Sequence, residues 1–109
     1  MSLPETAAAQ ILRAAAGRLR AMRRERDRHF PPELASGAAW NLLLELDDGS
    51  ADAIESPLSP ATRHRWLRAL SAHGLVTFSD DQPANATLTP AGRARIDGYL
   101  STCLEQGLL

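Results

Sequence analysis

The sequence predicts a mainly helical α+β fold in which one small β-hairpin interrupts a series of helices. Three observations carry that expectation. Alanine and leucine dominate while aromatic residues make up only 5% of the chain, a composition that favours helix over sheet. Two pairs, Ser59-Pro60 and Thr89-Pro90, place a capping hydroxyl directly before a proline, the pattern of a helix start. Between the helices they open, the apolar period changes from helical to extended over residues 75–89. At 109 residues, 44% hydrophobic and 23% charged, the chain is expected to form a single domain over 1–109 with a modest core.

Residues 5–29 contain no proline and a single glycine, and Ile11, Leu12, Ala15, Ala16, Leu19 and Met22 recur at three- and four-residue steps. This predicts a long amphipathic helix with a basic outer face, whose small side chains let another helix approach closely. The run Phe30-Pro31-Pro32 should end it, because consecutive prolines cannot continue a helix. In ELASGAAWNLLLELDDGS, residues Ala39, Trp40, Leu42, Leu43, Leu44 and Leu46 supply a compact helix buried on more than one side, and the DDGS turn stops it. Ser50 is placed to cap a short helix over ADAIES, which Pro57 ends. The helix opened by Ser59 and Pro60 should run to Ala72 or His73, where Gly74 can take the left-handed conformation that terminates it. LVTF and ATLT then read as strands joined by the polar loop SDDQPAN. Thr89 and Pro90 open the last helix, over 90–106, with Ile96, Tyr99, Leu100, Cys103 and Leu104 on one side.

The net charge of −1 conceals blocks of opposite sign. All twelve basic side chains are arginine; seven crowd residues 13–28, three more stand at Arg63, Arg65 and Arg68, and an acidic stretch from Glu33 to Glu55 lies between. One basic helix beside another is the footprint that a duplex binder needs. The single cysteine, Cys103, allows no intramolecular disulfide, which suits a reducing cytosol. On the apolar face of the last helix it reads as an inert buried thiol. His29, His64 and His73 are scattered and no CxxC or HxxxH spacing occurs, so neither a metal nor a cofactor is expected. The N-terminal stretch lacks the order of a signal peptide and no apolar run approaches membrane-spanning length, so no membrane association and a cytoplasmic location are expected. Paired carboxylates, an activated nucleophile and a phosphate-binding glycine loop are all missing, which argues against an enzyme.

Short helix, tight turn, second helix and hairpin form the layout of a winged helix-turn-helix, with the helix-turn-helix core over 37–78 and the wing over 75–89. Leu70, Gly74, Leu75 and Val76 fill an L-x-x-x-G-L-[VI] phrase, and Leu88, Thr89, Gly92 and Arg93 fill LT-x-x-G-R. On these two phrases and their separation, nearly the whole chain resembles the MarR-type winged-helix transcriptional regulators. The resemblance implies sequence-specific binding of double-stranded DNA by a helix at about 60–72 in the major groove. It also implies a homodimer formed by the first and last helices, here through Leu12, Leu19 and Met22 with Tyr99, Leu100 and Leu104. Two features depart from the family: the wing carries Asp80 and Asp81 and no base, and Arg63 stands where an apolar residue is usual.

Helical spacing turns position 63, Leu67 and Leu70 to the core, with Trp66 flanking, and leaves Ala61, Thr62, Arg65, Arg68 and Ala72 outside. Small residues beside arginines suit a helix that must enter a groove about 12 Å wide. The DNA-contacting set is expected to be Ser59, Thr62, Arg63, His64, Arg65 and Arg68. Within it Arg65 and then Thr62 reach base edges, Ser59 and Arg68 reach phosphates, and His64 lies at the edge of the groove. If Arg63 is buried it needs an acidic partner, which Asp52 or Glu55 would supply. The alternative is a winged helix used for protein–protein interaction, its acidic second helix and wing docking a basic partner.

Overall fold

The computed structural model of the chain describes residues 3–35, 37–48 and 58–109. The first helix, α1 (Leu3–His29), ends where the prolines require. Phe30 still donates its N–H to the Arg26 carbonyl, Pro31 is extended, and a single 3-10 turn follows over Pro32–Leu34. Helix α2 spans Gly37–Asp48 and α3 spans Pro60–Ala72. Strands β1 (Val76–Ser79) and β2 (Gln82–Leu88) form an antiparallel hairpin, and α4 spans Pro90–Glu105. The described residues are thus mainly helical with one two-stranded sheet. The helix expected over 51–56, its cap Ser50 and the suggested partners Asp52 and Glu55 lie outside the described residues.

The helix boundaries follow from local chemistry. Ser59 is extended and its Oγ accepts the Thr62 N–H at 3.2 Å, while Thr89 accepts the Gly92 N–H at 3.0 Å; a proline follows each cap. At the end of α3 the Leu75 N–H reaches the Leu70 carbonyl and the Gly74 N–H reaches that of Ser71, a Schellman closure made possible by φ of 74° at Gly74. The same pair of bonds closes α4, from Leu108 to Cys103 and from Gly107 to Leu104.

The hairpin departs from the expected one. Pairing does not stop at a long loop but continues to Ser79 opposite Gln82, leaving only Asp80 and Asp81 as the connection. A register shift between Thr77 and Ser79 absorbs the extra residues of the second strand. Ser79 Oγ accepts the Asp81 N–H at 3.3 Å and stabilises the turn. Pro83 fits because β2 pairs on one side only, as an edge strand.

Leu34, Leu42, Leu43, Leu67, Leu70, Leu75, Val76, Ile96 and Cys103 are fully buried and join α2, α3, the hairpin and α4 around one core. Burying each leucine contributes about 1.5–3 kcal/mol. Beside them Phe30, Trp40 and Tyr99 pack edge to face, with ring centroids 5.2 Å apart at both contacts. Tyr99 is therefore an interior residue of the chain and not, as expected, part of a dimer surface. The three-residue step from Ile96 places it on the buried stripe of α4 rather than its outer edge.

Only the C-terminal part of α1 takes part in this packing. Gln106, just beyond α4, donates to the buried Glu25 carboxylate at 3.2 Å, and Arg28 reaches the same oxygen at 2.7 Å. Toward its N-terminus the helix projects from the body, giving a particle 62 × 27 × 22 Å in extent.

Candidate nucleic-acid interface

Helix α3 has two faces of different chemistry. Arg63, Leu67 and Leu70 are buried, while Ala61, Arg65, Arg68 and Ala72 are exposed and Thr62 is half-buried. Arg63 does not belong to a DNA-contacting surface: it is 5% exposed, and its Nη1 lies 3.4 Å from Glu45 Oε2 on α2. The periodicity that turns Leu67 and Leu70 inward carries Arg63 with them, and among the described residues its acidic partner is Glu45 on α2. Arg65 and Arg68 make no ion pair among the described residues; the Arg65 guanidinium lies 5.8 Å from the ring of the half-buried Trp66. Both cations are exposed on the outer face.

Ser59 and Thr62 sit together at the start of this helix. The Ser59 hydroxyl donates to Thr62 Oγ1 at 2.9 Å while accepting the Thr62 N–H, so the pair is ordered by the cap itself. At the other end, His73 Nε2 is 3.2 Å from Glu33 Oε1, which fastens α3 to the 3-10 turn. Arg93, the arginine of the LT-x-x-G-R phrase, pairs with Asp47 on α2 at 3.3 Å.

The hairpin returns against α3 and brings His64 to Asp80, with Nε2 and Oδ1 2.8 Å apart. The imidazole also packs edge-on to Phe78, centroids 5.5 Å apart. Asp80, Phe78, Arg68, Ser71 and Ala72 line an open cleft of about 340 Å³ between hairpin and helix. This contact is not legible in the sequence, because sixteen residues and an irregular strand register separate its partners. No serine, threonine or cysteine is hydrogen-bonded to His64 among the described residues.

A second surface runs along the free part of α1. Leu12 is 70% exposed, Leu19 67% and Leu104 63%; Ile11, which stands on the same stripe, and Leu109 are also exposed. Met22 and Leu100 are half-buried against the core. They continue into a cleft of about 350 Å³ lined by Leu19, Arg26, Trp40 and Tyr99. The Arg26 guanidinium lies 4.9 Å from the Trp40 ring.

No family model, curated protein or solved structure matches the chain. Among the described residues no helix is long and apolar enough to cross a membrane.

Proposed function

We propose that the chain is a dimeric, cytoplasmic winged-helix protein that binds double-stranded DNA as a transcriptional regulator and is not an enzyme, with α3 as the recognition helix and β1–β2 as the wing. The observation that carries this reading is the division of α3: an inward face fixed by Leu67, Leu70 and the Glu45-paired Arg63, and an outward face of small residues with two exposed arginines that make no ion pair among the described residues. That outer face matches the major groove in width and sign. Arg65, central on it, reads base edges, with Thr62 beside it; Arg68 and Ser59 meet phosphates, and His64 stands at the rim. The second copy covers the α1 stripe through Leu12, Leu19 and Met22, together with Leu100 and Leu104, and a two-fold protein calls for half-sites about one helical turn apart.

The test is selection of bound duplexes from a random pool, then titration of the winner at increasing salt. The expected outcome is a pseudo-palindromic motif whose log affinity falls linearly with log salt concentration. Arg65→Ala should weaken binding to that motif by about 1–3 kcal/mol and relax preference at one position per half-site, with an unchanged circular dichroism spectrum. Retained preference would remove Arg65 from base reading. One observation favours a second reading, a docking module for a basic protein: the exposed Asp80 and Asp81 at the hairpin tip. Failure of any duplex to enrich selects that reading.

A further inference from the structure

We propose that Asp80 is an internal competitor of DNA phosphate, held by His64 at the edge of the recognition face so that loose, sequence-independent binding is suppressed. The inference rests on the DNA-binding reading above. It starts from the fact that the carboxylate is not simply displayed at a loop tip. Its Oδ1 is fixed 2.8 Å from His64 Nε2, and the imidazole is in turn held by the edge of Phe78, so helix and hairpin both contribute to the placement. Arg68 lines the same cleft without closing an ion pair with Asp80. Asp80 keeps 75% of its side chain exposed.

A phosphate oxygen approaching Arg68 through this cleft meets the Asp80 charge on the opposite wall, and like charges at that range repel. The cost falls on every duplex alike. A duplex that also satisfies Arg65 at its base edges offsets it; one that offers only backbone does not. A charge that repels all duplexes therefore raises the ratio of specific to non-specific binding. Asp81 is the built-in comparison: it has the same charge one residue away and makes no hydrogen bond or ion pair with α3 among the described residues.

Three chains, wild type, Asp80→Asn and Asp81→Asn, are titrated with the selected duplex and with a scrambled one at several salt concentrations. Asparagine keeps an oxygen that can accept from His64 and removes only the charge. Asp80→Asn is expected to tighten binding to the scrambled duplex by about three- to tenfold, with a salt dependence steeper by up to about one counterion. The selected duplex should gain less, and Asp81→Asn should move either affinity by less than about twofold. Binding of scrambled DNA by Asp80→Asn where the wild type shows none supports the inference equally. Equal effects of the two variants, or no effect of Asp80→Asn on a wild type that binds, overturn the inference alone. If none of the three chains binds any duplex at low salt, the DNA-binding reading fails and the competitor role falls with it.

Discussion

At Gly92 a side chain has no room, because a Cβ there would fall on the carbonyl oxygen of Leu75, a backbone atom that cannot swing aside. Gly92→Ala should destabilise the fold by about 1–3 kcal/mol, read as a lowered denaturant midpoint, and an unchanged midpoint would show that the hairpin base yields easily. Tyr99 offers a second test. Burial, reinforced by the neighbouring Cys103 and opposed by Arg26, pushes its phenol up to about 12. Below pH 10 the group is protonated in both states; between 10 and 12 the unfolded chain releases the proton that the folded chain keeps, so stability falls as pH rises through that window. Tyr99 is the only tyrosine, so near-ultraviolet absorbance should show no phenolate near pH 10 while the chain stays folded. Residues of this kind were partly legible in the sequence. The apolar spacing around Leu67 and Leu70 already turned Arg63 inward, yet its acidic partner Glu45 stands eighteen residues away on another helix. Helix period gives the direction of a side chain; it does not give the neighbour.

Among the elements, helix starts were the most legible, since a cap such as Ser59 or Thr89 acts within three residues of itself. The hairpin was less so. Its strand ends depend on a register shift and on β2 being an edge strand, both properties of the pair rather than of either stretch. Helix α1 was correctly bounded at its C-terminal end, but which part of it packs on the body is fixed by α4, through Glu25 and Gln106. The remainder spans much of a helix about 40 Å long, with leucines open to water, and an isolated helix of that kind is marginal on its own. In the dimer proposed above, the same stripe of a second copy covers it. If that pairing holds, Leu12→Glu combined with Leu19→Glu should sediment as a monomer at concentrations where the parent chain sediments as a dimer, and should lose helix content from α1 alone. An unchanged sedimentation profile would count against the pairing. These two positions are preferable to Leu100, whose half-buried side chain also supports the core.

In the molecule as a whole, near-neutral net charge conceals an ordered separation of sign. On α2, Glu45 pairs with Arg63 and Asp47 with Arg93, while Arg65 and Arg68 make no ion pair among the described residues. A composition summary erases this distinction, and a block diagram of charges shows only half of it. The joint between α3 and α4 is organised around one place: the Leu75 carbonyl accepts the Thr89 N–H at 3.0 Å, Thr89 Oγ1 donates to the Gly74 carbonyl at 2.6 Å, and Gly92 lies directly against Leu75. Mechanically the hairpin is a cantilever. Its root is tied to the end of α3 and the start of α4, while its tip meets α3 through the His64–Asp80 hydrogen bond and the Phe78 edge. Any displacement of the tip therefore has to be accommodated at Leu75 and Thr89, next to the first turn of α4, the helix against which α1 packs.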